Sequence, residues 1–141
     1  MSNQDLALKI RDAGLKPTAQ RIAILKELLS RTDHPGADMV YKKLKSEYPS
    51  LSMNTIYLNL ETFVRQGVIQ RINNLTNLGR FDGNAKPHHH FICTKCKKII
   101  DPNLGSLKDL TKEVIEETGF QIINHRVDFF GTCRECQSRE A

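Results

Sequence analysis

The sequence predicts an α+β chain of two lobes: an N-terminal winged helix-turn-helix DNA-binding domain over residues 1–83 and a C-terminal α/β dimerisation domain over 84–141 with a four-cysteine zinc site. Three observations predict it. Apolar residues recur at helical spacing through the first half, then give way to a short strand-like stretch and a turn. Composition shifts near residue 81, because all four cysteines and four of the five histidines follow it. The cysteines fall into two Cys-x-x-Cys pairs, Cys93/Cys96 and Cys133/Cys136. A length of 141 residues suits one compact unit or two small lobes, and 39% hydrophobic against 26% charged residues excludes global disorder.

Leu6, Ile10 and Ala13 share one helical face, and Gly14 sits where a C-cap ends that helix. Thr18, just after Pro17, caps a second helix with Ile22, Leu25, Leu28 and Leu29 facing inward. A third, over 37–48, buries Val40, Tyr41 and Leu44 and stops before Pro49. Ser52 caps a fourth, striped by Ile56, Leu60, Phe63 and Val64 and ended by Gly67. A strand from Val68 to Ile72, a turn at Asn73-Asn74 and a return through Gly79, Arg80 and Phe81 make the wing.

The fourth helix is the one to enter a DNA groove. Its outward face offers Asn54, Thr55, Tyr57, Leu58 and Asn59, small, polar and aromatic groups suited to base edges and phosphates. Ser52 and the free amides of that helix start can receive a phosphate, and Arg21 and Arg71 are candidate backbone contacts. Packing against a neighbouring helix is the competing reading, favoured for Leu58, whereas DNA is favoured for Tyr57. Charge distribution points the same way: residues 1–80 carry a net +5 and residues 81–141 none. A lobe that meets a polyanion needs that excess, although solubility alone also accounts for it.

Two Cys-x-x-Cys knuckles, 36 residues apart, present four sulfurs at zinc distance, and the metal ties the C-terminal tail to the first knuckle. Disulfides are disfavoured in a reducing cytoplasm, and neither pair has the surroundings of a redox site. A second constellation is His88-His89-His90 with Asp82 before it and Asp101 after. If Cys93 to Cys96 is a hairpin tip, His90 lies opposite Ile99 and His88 opposite Asp101. Alternation then puts His88 and His90 on one face and His89 toward the cysteine face. Such a site without thiolate accepts Fe2+ or Mn2+ as well as Zn2+. A solvated histidine patch is the plain alternative, and the flanking acids weigh against it. The stretch Phe120 to Phe130 alternates well enough to build a sheet strand.

Other classes are excluded by what is missing. No apolar run approaches the roughly 18 residues of a membrane span, and Met1 to Asp5 lack a signal-peptide profile, so a cytoplasmic location is expected. His-Glu-x-x-His, Gly-x-Ser-x-Gly and a phosphate-cradling glycine loop are all missing, which argues against an enzyme. A zinc-stabilised protein-interaction module with no DNA role is the remaining rival.

These residues resemble the ferric uptake regulator (Fur) superfamily over essentially the whole chain. The carrying segments are Gly14-x-x-x-Thr18-x-Gln20-Arg21, His34-Pro35-x-Ala37-Asp38-x-x-Tyr41, and Ser52-x-Asn54-Thr55-Ile56-Tyr57-x-Asn59-Leu60. Arg80-Phe81-Asp82, His88 to Cys96, and Cys133-x-x-Cys136 complete them. The resemblance implies a dimeric, metal-dependent repressor that binds a near-palindromic operator in double-stranded DNA. It adds His34 to Asp82, His88, His90 and Asp101 as a five-ligand regulatory site for Fe2+ or Mn2+, beside structural Zn2+ on the cysteines. It also implies that the site bridges the two lobes and sets the spacing of the recognition helices. Asp at 101 makes the chain most similar to the peroxide-responsive branch, in which H2O2 is the signal and iron-catalysed oxidation falls on a ligand histidine; by position these are His34 and His88. The alternative within the family is an iron- or zinc-uptake regulator that responds to metal level. Some relatives hold a further metal at positions matched here by His89 and His125, but Lys108 stands where they have Glu. Asn54 replaces a frequent Ala, which leaves the operator preference open.

Overall fold

A computed structural model describes residues 1–72, 79–102 and 110–140. It divides into two units, 1–86 and 87–141, the join falling between Lys86 and Pro87.

The first unit is built from four helices and a two-stranded sheet. Helix α1 (Asn3–Asp12) starts with a capping box in which the Ser2 hydroxyl accepts from the Asp5 amide and the Asp5 carboxylate accepts from the Ser2 amide. Thr18 caps α2 (Ala19–Leu29) and Ser52 caps α4 (Met53–Arg65), each accepting from the third amide beyond it. Helix α3 (Ala37–Leu44) ends four residues earlier than the sequence suggested, since residues 45–47 form a turn. That turn lets Leu51 join Leu44 in the core.

Strands β1 (Gln70–Ile72) and β2 (Arg80–Asp82) pair antiparallel, Gln70 opposite Asp82 and Ile72 opposite Arg80. The expected strand start at Val68 is not found. Val68 and Ile69 are buried, and both donate their amides to the Phe63 carbonyl after Gly67 takes a left-handed φ of 74°. They close the C-terminus of α4 instead, satisfying a helix-end carbonyl. The Asn73-Asn74 turn lies outside the described residues. A continuous core runs through Leu6, Ile24, Leu25, Ile56, Leu60, Phe63 and Phe81. Each such side chain, fully buried, contributes about 1.5–3 kcal/mol.

The second unit holds β3 (His90–Cys93), β4 (Ile99–Ile100), α5 (Thr111–Thr118), β5 (Asp128–Gly131) and α6 (Arg134–Glu140). Its sheet runs β4-β3-β5, with β4 antiparallel and β5 parallel to β3. Ile92 faces Ile99 and Phe91 faces Ile100, a register two residues removed from the one expected. The hairpin is wider because Cys93 donates its amide to the Lys98 carbonyl and the turn runs through Lys97 at φ 66°. A shift of two keeps every side chain on its face, so the partition of the histidines survives. Of the expected 120–130 strand only 128–130 is paired, the ladder running on to Gly131; residues 119–127 have no regular structure. No helix among the described residues is long and apolar enough to cross a membrane.

Candidate metal centres and DNA-facing helix

Cys93 ends β3, Cys96 lies in the following turn, Cys133 precedes α6 and Cys136 stands on it. All four are free thiols, and all but Cys96 are buried. Cys93 Sγ lies 3.9 Å from Cys136 Sγ, and Cys96 Sγ 3.8 Å from Cys133 Sγ. Four sulfurs each about 2.3 Å from a central Zn2+ in a tetrahedron stand about 3.8 Å apart, so the set fits that ion. Disulfide sulfurs would be about 2.05 Å apart. The Cys133 amide donates to Cys93 Sγ at 3.4 Å and, with other backbone donors, holds that thiol down at about 6. The neighbouring Cys133 sulfur and burial push the Cys136 thiol up to about 12. Four sulfur donors gathered at these distances are the set a tetrahedral zinc ion takes. With every position filled by protein, the site is structural in type.

The nitrogen and oxygen donors lie in two groups, one in each unit. In the first, His34 Nε2 stands 3.2 Å from Asp82 Oδ2, both residues buried. His34 Nδ1 donates to the Thr32 carbonyl at 2.7 Å, which leaves the Nε2 lone pair for a metal. Asp82 Oδ1 accepts from the Asn84 amide. His34 has φ 55° and precedes Pro35, a combination that costs about 1–3 kcal/mol and persists only where its surroundings hold it.

In the second group, Asp101 Oδ1 lies 3.5 Å from His88 Nε2 and 3.4 Å from His90 Nε2. His90 is fully buried; its Nε2 is turned toward Asp101, and its Nδ1 faces Asp128 Oδ1 at 3.6 Å, too far for a hydrogen bond. Adjacent ligands about 2.1 Å from one ion stand about 3 Å apart at right angles, close to the spacings within each group. The donors are those of a harder ion than the sulfur site takes.

His89 is different. Its Nδ1 accepts from the Val127 amide at 2.9 Å, and its ring lies 5.8 Å from that of His125. A neutral His89 therefore carries its proton on Nε2 and has no lone pair to give a metal. Lys108 lies outside the described residues.

On α4, Ser52, Asn54 and Leu58 are exposed, and Thr55 is partly so. Leu58 is 55% exposed and does not pack as expected, while Tyr57 is half-buried, resting partly against the core. Tyr57 lies one residue nearer the buried stripe of Ile56 and Leu60. Asn59 Oδ1 accepts from Arg21 Nε at 3.0 Å, and its Nδ2 donates to the Thr55 carbonyl. Arg21 also donates to the Lys16 carbonyl. Arg71 pairs with Glu61 of α4 and covers the Phe81 ring at 5.4 Å. These three side chains brace α4 and the wing. The sequence reading overlooked Thr32, Asp128 and Arg80, which act on the histidines; a left-handed residue before a proline is a conformation, and composition does not announce it.

A helical unit with a small β-ribbon, joined to a sheet unit rich in metal donors, defines a metal-binding winged-helix protein. A model of the ferric uptake regulator family matches residues 12–130. The peroxide-responsive repressor PerR of Staphylococcus aureus is 37% identical over 130 residues, 92% of this chain and 88% of that protein. Among solved structures, the ferric uptake regulator Fur of Helicobacter pylori aligns with a TM-score of 0.81 at 23% identity, covering 100% of this chain and 97% of that one. PerR of Streptococcus pyogenes aligns with a TM-score of 0.52 at 28% identity, covering 96% and 92%. The chain belongs to the ferric uptake regulator family.

Proposed function

We propose that the protein is a homodimeric, metal-dependent transcriptional repressor that releases its operator in response to hydrogen peroxide. Zn2+ on Cys93, Cys96, Cys133 and Cys136 maintains the C-terminal unit. His34 and Asp82 of one unit join His88, His90 and Asp101 of the other around a single Fe2+ or Mn2+, fixing the angle between units. The observation that carries this reading is the donor set itself: imidazoles and carboxylates without thiolate, with the Nε2 of His34 facing Asp82, the Nε2 of His88 and His90 facing Asp101, and His34 Nδ1 donating to the Thr32 carbonyl. Fe2+ in that site would supply the redox chemistry by which H2O2 adds an oxygen atom to a ligand imidazole, that of His34 or His88. The similarity to peroxide-responsive relatives supports this choice of signal.

Ser52, Asn54, Thr55 and Tyr57 meet the DNA, while Arg21, Asn59 and Arg71 hold the reading helix in place. Ile100, Phe129 and Phe130, exposed on the second unit beside a cavity they help to line, supply apolar surface for a second copy. A two-fold dimer reads a near-palindromic operator. Metal and operator then tighten each other by the same factor, about 5–150-fold for a coupling of about 1–3 kcal/mol.

The test is peptide mass analysis of iron-loaded protein after brief H2O2 treatment. One added oxygen atom on His34 or His88, with loss of operator binding, is expected. Unmodified histidines, with release only on chelation, would instead identify a regulator of metal level.

A further inference from the structure

Asp82 and His90 stand on strands, Asp101 follows β4 directly and His88 comes two residues before β3. His34 lies in the loop between α2 and α3, in a left-handed conformation that an isolated His-Pro segment disfavours. Strand β2 runs alongside that loop. Arg80 donates through Nε to the His34 carbonyl and through a terminal nitrogen to the Asp33 carbonyl, 2.5 Å away. One residue on, the Phe81 amide donates to the Pro35 carbonyl at 3.0 Å. One further, Asp82 meets His34 Nε2. The loop also approaches the strand closely at Gly36, where a Cβ would come within 3.2 Å of the Gly79 carbonyl oxygen and 2.8 Å of an Asp38 oxygen. Four successive residues, 79–82, thus shape 33–36 from the same side.

We propose that Arg80 is a positioning residue for the regulatory metal: its guanidinium fork grips the Asp33 and His34 carbonyls and holds His34 in the left-handed conformation that aims Nε2 at Asp82. This rests on the reading of His34 and Asp82 as ligands. The fork geometry is what matters. Two adjacent carbonyls are bridged by the planar, spaced donors of arginine, whereas a lysine ammonium is a single point of charge. Asp33 is itself held by Arg31 through two hydrogen bonds of 2.9 and 2.8 Å, so the segment before His34 is fixed from the other side as well. Because Arg80 and Asp82 share a three-residue strand of the wing, whatever orders the ligand pair also orders the base of the wing.

The experiment compares wild type, Arg80→Lys, Arg80→Met and Asp82→Asn in the full, zinc-loaded chain. Mn2+ affinity is read by electron paramagnetic resonance, and the His34 tautomer by nitrogen-15 NMR without Mn2+. Both Arg80 variants should lose Mn2+ affinity by roughly 10–100-fold, the range for groups that orient a ligand. Both should also convert His34 from the Nδ1–H form to a mixture, with zinc content unchanged. Arg80→Lys binding Mn2+ like wild type, with the Nδ1–H form intact, would overturn the proposal, since charge alone would then suffice. Should Arg80→Met fail to fold, Arg80→Lys carries the same decision. Asp82→Asn separates the two levels. If it leaves Mn2+ binding unchanged, the ligand reading is wrong; if it weakens binding while the Arg80 variants do not, only the role of Arg80 falls.

Discussion

The two units use different means to stay folded. The first has a core threaded through all four helices and the wing, with Ile10, Ile24, Leu60, Phe63 and Phe81 at 0% exposure. Among the described residues the second buries Ile92, Ile99 and His90 beside the cysteine cluster, with Phe91 packed against the cysteines. Its α5 contributes no buried residue, and Phe120, Ile123 and Phe130 are all more than half exposed. Apolar burial stabilises the first unit, while under the proposed function the second relies on zinc at its cysteines and on a second copy over its exposed apolar residues.

Removing the zinc should produce the largest effect. Structural zinc sites of this type are worth about 10–16 kcal/mol of apparent binding energy near neutral pH. Cys136→Ser should therefore release zinc and abolish amide-exchange protection in β3 and β5 while α2 and α4 stay protected. Equal loss in both units would break the comparison. Next comes the core of the first unit: Phe63→Ala should cost about 3–5 kcal/mol in denaturant unfolding of the helices, with zinc content unchanged. Loss of zinc from that variant would show that the two units do not fold independently.

The same contrast governs what the sequence could reveal. Helix starts were legible at Thr18 and Ser52, because a hydroxyl before an apolar-periodic run has one economical use. The cysteine site was legible because each knuckle is local. Strand limits were harder: Val68 and Ile69 look like strand residues and act as a helix cap, since burial alone does not say which hydrogen bonds the backbone makes. The hairpin register slipped by two because turn length depends on Lys97 adopting a left-handed φ. His34 was beyond reach of spacing arguments and entered through family resemblance. Its neighbours in space, Arg80 and Asp82, are some 46 residues away along the chain. Leu58 turned out exposed and Tyr57 half-buried because adjacent positions on a helix differ by about 100°, and the edge of the buried stripe falls between them.

The claim everything else depends on is that the two groups of nitrogen and oxygen donors close on one ion. Titrating Mn2+ into the zinc-loaded chain, with His34→Ala and His88→Ala alongside, tests it most directly. The account predicts one tightly bound Mn2+ per wild-type chain, lost to a similar degree in both variants although the residues belong to different units. Undiminished uptake by His34→Ala would contradict it.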